Sequence, residues 1–189
     1  MTLRVTSGRL DGIRRIEPTV FRDVRGSFAE SYRQSDYAAL GLPRFVQDNM
    51  AVSNYGVLRG LHLQNPKMQG KLILVLHGAI FDVAVDVRID SPTFGQWEAL
   101  ELRVEPLRQL YIPPGFAHGY QVLSAHATVA YKCTEYYDAA CELTLSWSDP
   151  ELAIPWPITD ARCSEKDQHG LTLAALRRRL LPQVPAAKP

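Results

Sequence analysis

Apolar and polar residues alternate in short runs along most of the chain, a pattern typical of half-buried β-strands. The strongest runs cover residues 71–76 and 79–87, and His77 and Gly78 form a predicted turn between them. In the second run Val83 and Val85 share one face, whereas Asp82 lies on the other. Further strands are predicted at 12–21, 26–32, 45–50, 57–64, 97–104, 108–112, 118–123, 127–136 and 143–147.

Helical patterns are confined to two places. A short helix is predicted over 35–40, with Ser35 or Asp36 as its N-cap and its end before Gly41. The C-terminal part, 164–181, is also predicted to be helical, with an interruption at Gly170. About ten short strands separated by Gly, Pro or Ser favour an all-β sandwich or barrel over an α/β fold.

Length and composition indicate one ordinary globular domain over residues 1–189, with 182–189 as a loose end. The hydrophobic fraction of 46% is ordinary for a globular protein. The net charge is +1, so we expect no strongly basic surface and no nucleic acid as a partner. No apolar run approaches the ~20 residues that span a membrane, and the N-terminus lacks the features of a signal peptide. Three cysteines without zinc-site spacing fit a reduced compartment, so we expect a soluble cytoplasmic protein.

Residues 57–64 (VLRGLHLQ) place a guanidinium, an imidazole and a carboxamide in apolar, strand-like sequence. Polar groups in such positions are unfavourable unless they have partners or a function. A single half-buried histidine is more often structural than catalytic. Here His62 is followed by Lys71, Tyr131 and Asp167, also in or beside apolar strands. This recurrence favours a functional interpretation.

Strict alternation along the same strand creates a conflict, because it puts Arg59 and His62 on opposite faces. A bulge at Gly60 would bring both side chains to one face. Alternatively, Arg59 reaches a ligand in a neighbouring subunit or from outside the barrel. The sequence leaves these alternatives open.

Pro113, Gly115 and His118 resemble the second motif of the cupin superfamily of small β-barrels. Many cupins bind a metal with that histidine together with a His-x-His pair. This chain has Gln64 in the place of the second histidine of the pair, which leaves too few ligands for a catalytic metal. We therefore expect no metal site and an antiparallel cupin-type barrel, or jelly roll, with a few short helices.

A longer ordered set of motifs carries a narrower resemblance between about residues 10 and 167. The motifs begin at Phe21, Gln47, Val57, Gln69, Phe81, Ser91, Gly115 and Tyr136. They resemble the dTDP-4-dehydrorhamnose 3,5-epimerase family, metal-free cupin-type enzymes of deoxysugar-nucleotide synthesis. The resemblance implies inversion at the carbons beside the ketone of a dTDP-4-keto-6-deoxyhexose, without metal or organic cofactor.

The resemblance also implies roles for individual residues. His62 is the expected base and Asp167 the group that orients it, while Lys71 stabilises the enolate oxygen and Tyr131 is the acid. Asp82 stays outside the expected catalytic set. The residues expected to bind the substrate are Arg25, Glu30, Gln47, Asn49, Arg59, His118, Tyr137, Glu142 and Lys166.

Tyr137 is expected to stack on thymine, and the arginines to bind diphosphate. Glu142 and Lys166 could equally be solvated surface charges.

Relatives form dimers by exchanging strands, so we expect a homodimer. The rival interpretations are a metal-dependent cupin isomerase or oxygenase and a non-catalytic module that binds nucleotide sugars. Ser27 and Ala29 depart from the bulkier residues common in the family, which leaves the deoxysugar and the inverted carbon open.

Overall fold

The computed structural model describes residues 2–181, so the predicted loose end at 182–189 lies outside the described residues. Its strands are β1 Leu3–Ser7, β2 Arg14–Pro18, β3 Val20–Asp23, β4 Gly26–Ala29, β5 Gln47–Asn54, β6 Leu58–Gln64, β7 Lys71–His77, β8 Ala79–Asp86, β9 Trp97–Arg103, β10 Gln109–Ile112, β11 Phe116–Val122, β12 His126–Cys133 and β13 Glu142–Thr144. Its helices are α1 Gln34–Ala39, a 3₁₀ turn Ala139–Cys141, α2 Glu165–Gln168 and α3 Leu173–Leu180.

Two antiparallel sheets form the body of the protein. The larger has the strand order β1-β2-β10-β7-β12-β5 and the smaller has the order β13-β6-β11-β8-β9. Consecutive strands such as β5 and β6 fall in different sheets, as they do in a jelly roll. The prediction of a mainly β, cupin-type fold with few helices is confirmed. Among residues 2–181, no helix is long and apolar enough to cross a membrane.

Alternating side chains divide the apolar residues into three clusters. One lies between the two sheets, where Ile73 and Val129 of the larger sheet meet Ile80 of the smaller. A second lies on the outer face of the smaller sheet, which α3 covers with Leu176. In the third, Tyr37 of α1 packs against part of the outer face of the larger sheet. Within residues 2–181, no element covers the part of that face where Met50 and Val52 of β5 are exposed.

Several predicted boundaries are wrong. The single strand expected at 12–21 is two strands that separate at Thr19, and the second of them, β3, continues through Asp23. The N-cap of α1 is Arg33, with no side-chain cap bond, rather than Ser35 or Asp36. A hydrophobic contact of Tyr37 holds this short helix, so the cap residue does not decide where it begins. By contrast, the predicted helical tail is confirmed as α2 and α3, which are separated by residues 169–172 around the predicted interruption at Gly170.

Candidate active site

A cavity opens between the two sheets, beside the unpaired edges of β5 and β13. Its inner part has a volume of about 270 Å³, and an adjoining part has about 210 Å³. The three residues predicted to act on the substrate, His62, Lys71 and Tyr131, line both parts. The predicted binding residues that line one part or both are Gln47, Asn49, Arg59, His118, Tyr137, Glu142 and Lys166.

Asp167 lies behind His62 rather than in the cavity wall. The first turn of α2 presents its carboxylate, and the hydroxyl of the N-cap Ser164 accepts a hydrogen bond from the Asp167 backbone. Asp167 Oδ1 is 2.5 Å from His62 Nε2. Burial alone would raise the pKa of Asp167, but the hydrogen bond and charge of His62 outweigh it, so the pKa is lowered. The carboxylate is therefore charged and fixes the ring of His62.

Lys71 is the first residue of β7 and is buried. Its ammonium lies 3.4 Å from the backbone oxygen of His62, and within residues 2–181 it forms no ion pair with a carboxylate. Burial lowers the pKa of Lys71, while the charges of Cys133 and Asp82 oppose the shift. A desolvated ammonium with free N–H groups can stabilise a negative charge that develops on a bound ligand.

Tyr131 faces His62 from the opposite sheet, since it belongs to β12 and His62 belongs to β6. Burial raises the pKa of the Tyr131 phenol, so it keeps its proton at neutral pH. A proton acceptor and a proton donor thus approach one cavity from two sides.

The conflict over Arg59 is resolved by a bulge in β6. His118 of β11 is paired with His62, yet Tyr120, two residues later, is paired with Arg59, three residues earlier in β6. The extra residue beside Gly60 brings Arg59 and His62 into the same cavity. Arg59 Nε donates to Ser53 Oγ at 2.9 Å. Arg59 therefore reaches the cavity of its own chain.

A second histidine–carboxylate pair lies beside the first and was missed in the sequence. His118 Nε2 is 2.9 Å and 3.1 Å from the two carboxylate oxygens of Asp82, which is fully buried. Burial lowers the pKa of His118, and Asp82 opposes this shift. Alternation placed Asp82 on the face opposite to Val83 and Val85, but it could not show which residue of β11 lies beside it.

The mouth of the cavity carries a connected set of polar side chains. Tyr137 Oη donates to Glu142 Oε2 at 3.1 Å, and Lys166 Nζ lies 2.7 Å from Glu142 Oε1. Burial would raise the pKa of Glu142, but Lys166 and Tyr137 outweigh it and the pKa is lowered. Glu142 and Lys166 are therefore joined to the cavity rather than isolated surface charges. Gln47 and Asn49 are also joined, by a hydrogen bond of 3.1 Å.

Arg25 and Glu30 are the two predicted binding residues that do not line this cavity. Arg25 forms an ion pair with Asp23 in the exposed hairpin of β3 and β4, and Glu30 pairs with Arg33 after that hairpin. The hairpin pairs with neither large sheet. The fold of one chain therefore leaves both residues apart from His62.

Among residues 2–181, no group of three or more His, Cys, Asp or Glu side chains is arranged to hold a metal ion. His77, His126 and His169, the three histidines that do not line the cavity, are exposed.

Comparison with known proteins shows which family this chain is similar to. The model of the dTDP-4-dehydrorhamnose 3,5-epimerase family matches residues 7–175. An enzyme of that name from Pseudomonas aeruginosa is 52% identical over 161 residues, which are 84% of this chain and 89% of the relative. One from Methanothermobacter thermautotrophicus is 48% identical and covers 85% of this chain and 89% of the relative.

A crystal structure of the Legionella pneumophila dTDP-6-deoxy-D-glucose-3,5-epimerase with dTDP-4-keto-L-rhamnose is also similar. It superposes with a TM-score of 0.92 at 47% identity and covers 98% of this chain and 100% of that one. The match extends over almost the whole chain and includes the strands that carry His62, Lys71 and Tyr131. This chain belongs to the dTDP-4-dehydrorhamnose 3,5-epimerase family.

Proposed function

We propose that the protein inverts C3, C5 or both in a dTDP-linked 4-keto-6-deoxy sugar, by removing a proton beside the ketone and returning one to the opposite face. The observation that carries the proposal is the pair of proton-transfer groups on opposite sheets. His62, bonded to Asp167, faces Tyr131 across one cavity, and Lys71 lines the same cavity. Inversion at carbon requires such an arrangement, because the proton must leave one face and return to the other.

In the proposed first step, His62 takes the proton on carbon. Nε2 of His62 is engaged by Asp167, which leaves Nδ1 to accept that proton. The electron pair of the broken C–H bond forms the C=C bond of an enolate, and the π pair of the ketone moves onto its oxygen. Asp167 remains a carboxylate and stabilises the imidazolium that forms.

Lys71 is the proposed partner of the enolate oxygen. Its buried position supports this role, because a charge in a dry site stabilises a developing anion more strongly than it would in water. The substrate's own ketone makes the neighbouring proton acidic, so this chemistry uses no cofactor.

In the proposed second step, the Tyr131 phenol gives its proton to the same carbon from the other face. The phenolate then recovers a proton from solvent, and the His62 imidazolium releases its proton to solvent. The raised pKa of Tyr131 supports this role, because the phenol enters each cycle protonated.

The proposed binding mode places the sugar among His62, Lys71 and Tyr131 and the nucleotide at the mouth. Tyr137 offers an exposed aromatic face for a pyrimidine base. Arg59 is proposed to bind a phosphate oxygen, a group that suits its guanidinium. Gln47, Asn49, His118, Glu142 and Lys166 complete the proposed binding set.

Arg25 and Glu30 belong to the proposed site through a second copy of the chain. The hairpin that carries Arg25 exposes Phe21 by 62% and Phe28 by 69%, more apolar surface than a short hairpin keeps in solution. We therefore propose a homodimer in which this hairpin reaches the partner's cavity. We also propose a cytoplasmic location, which the three unpaired cysteines support.

Solvent exchange tests the proposed reaction. Incubation with the dTDP-4-keto-6-deoxy sugar in heavy water is expected to place deuterium at each inverted carbon, and NMR then shows whether this is C3, C5 or both. The comparisons favour this reaction over a metal-dependent cupin reaction. Folded protein that binds the sugar nucleotide and incorporates no deuterium would instead be a binding module.

A further inference from the structure

Gln64 is the last residue of β6, and its buried carboxamide forms hydrogen bonds only with residues outside that strand. Only 3% of its surface is exposed. Its Nε2 donates to the backbone oxygens of Lys67 at 2.8 Å and Tyr136 at 3.1 Å. Its Oε1 accepts from the backbone N–H of Asp138 at 2.7 Å. Both donors of the carboxamide are thus occupied by the chain itself.

Two of these three bonds bracket Tyr137, because they are made to the residues on either side of it. The segment around Tyr137 belongs to no strand or helix, so it depends on such contacts for its position. Gln47 Oε1 accepts a further bond from the Tyr137 backbone N–H at 2.8 Å. The phenol at the other end of the residue donates to Glu142.

The ordinary explanation is that a buried amide only provides hydrogen-bond partners for the backbone groups of a loop, as many buried polar groups do. Three features indicate more than this. Gln64 lines the cavity, two of its three bonds are made to the residues on either side of Tyr137, and 53% of the surface of Tyr137 is exposed at the mouth. Gln64 also occupies the position of the second histidine in cupin metal sites. The side chain that binds a metal in those cupins is here replaced by one that binds the loop around Tyr137.

We propose that Gln64 is a positioning residue. It holds Tyr137 in the orientation that stacks on the pyrimidine base of the nucleotide. This inference rests on the proposed function, since it assumes that a dTDP-sugar occupies the mouth. Gln64 itself touches neither the base nor the reacting carbons. Its effect is on binding, and not on the proton transfers at His62 and Tyr131.

Two substitutions of similar size test the proposal. Gln64→Met loses all three hydrogen bonds, whereas Gln64→Glu keeps an acceptor for Asp138 and turns two attractive contacts with carbonyl oxygens into repulsive ones. Each is expected to raise the KM for the sugar nucleotide and the Kd for dTDP about tenfold, with kcat changed by less than about twofold. Inorganic pyrophosphate, which has no base to stack, is expected to bind all three proteins equally.

A double-mutant cycle separates positioning from general loop support. In the Tyr137→Ala background, Gln64→Met is expected to change the Kd for dTDP by less than about twofold, because the residue it positions is gone. Equal fold-changes in both backgrounds would overturn the proposal.

Gln121 provides a matched control. It is also fully buried, and its carboxamide makes two bonds to the backbone of Ile158, yet it does not line the cavity. Gln121→Met is expected to lower the Tm and leave the Kd for dTDP unchanged. If the Gln64 variants only lower the Tm in the same way, Gln64 is structural.

The proposed epimerase activity and the proposed role of Gln64 can be contradicted separately. Wild-type protein that turns over the substrate, with Gln64 variants that bind dTDP normally, would reject the role of Gln64 alone. Wild-type protein that binds dTDP without deuterium exchange, with weakened dTDP binding in the variants, would reject the epimerase activity and support the role of Gln64.

Discussion

His62 and Tyr131 approach the cavity from different sheets, so their roles are separable by substitution. His62→Ala removes the proposed base and is expected to abolish both turnover and exchange of the substrate proton with solvent. Tyr131→Phe keeps the ring, and His62 can still exchange the proton, while net inversion falls. General acids and bases contribute about 10²–10⁴-fold, so the loss is readily measured. Deuterium incorporation followed together with product formation distinguishes the two variants.

Each assignment has an outcome that contradicts it. Undiminished inversion by Tyr131→Phe would mean that the acid is another group. Continued exchange by His62→Ala would remove the proposed base. Tyr111→Phe is a suitable control, because Tyr111 is a buried tyrosine in the α1 cluster on the outer face of the larger sheet.

Lys71 sets the expected alkaline limit of activity. The charged ammonium stabilises the enolate, and the charge is lost as the pH rises through its pKa. Burial lowers that pKa, so kcat is expected to decline at a pH below the ~10.4 of an ordinary lysine. Tyr131 does not cause this decline, since its own pKa is raised.

Lys71→Arg tests the alkaline limit, because a guanidinium stays charged throughout the accessible range. The variant is expected to be slower at neutral pH, since its donors have a different geometry, and to lose the alkaline decline. A decline at the same pH in the variant would assign it to another group.

At the scale of the element, the bulge in β6 depends on Gly60. Its φ is +115°, and a Cβ there would lie 2.7 Å from both the Cα of Gly119 and the backbone oxygen of His118. Those atoms belong to the backbone of β11 and cannot move aside without breaking the pairing. Gly60→Ala is therefore expected to lower the free energy of unfolding by about 4 kcal/mol or more.

Gly41 supplies the control, because its φ is +75° and a Cβ there would meet no atom within 4 Å. Gly41→Ala is expected to lower the free energy of unfolding by about 1–2 kcal/mol, from backbone conformation alone. Denaturant midpoints of the two variants measure the difference. Equal shifts would mean that the close approach of β6 and β11 is not essential to the fold.

The same strand shows how far sequence reasoning extends. Alternation correctly divided the faces of β8, because both of its neighbours in the sheet keep regular register. In β6 alternation fails, because the extra residue at the bulge makes the side chains that precede it point to the opposite face from the one that alternation predicts. Gly60 marked where a bulge could lie, but choosing between a bulge and a contact from another subunit required the pairing with β11.

Other parts of the site lie beyond any local pattern. The bond between His118 and Asp82 joins two strands at a register that only the assembled sheet defines. Asp167 reaches His62 because α2 packs against β6, across 105 residues of sequence. His62, His118 and Asp167 were predicted from the family motifs, whereas the boundaries of strands and helices were predicted from periodicity and were less accurate.

At the scale of the whole molecule, the exposed outer face of the larger sheet supports the proposed dimer. Met50 and Val52 of β5 are 69% and 60% exposed, and Leu76 of β7 adds a further apolar side chain. This apolar face and the exposed hairpin of β3 and β4 are the surfaces that a proposed dimer would bury. Sedimentation of the wild-type protein at micromolar concentration is expected to show a dimer, and Met50→Glu is expected to shift it toward monomer.

Mixing two inactive variants tests whether the hairpin serves the partner's cavity. His62→Ala keeps Arg25, and Arg25→Ala keeps His62, so a mixed dimer contains one cavity with both residues only if Arg25 crosses to the partner. Random exchange of equal amounts of the two variants is then expected to restore about a quarter of the wild-type activity. If Arg25 serves its own chain, every cavity in the mixture lacks one of the two residues and no activity returns. A wild-type monomer in sedimentation that is nevertheless fully active would contradict the shared site directly.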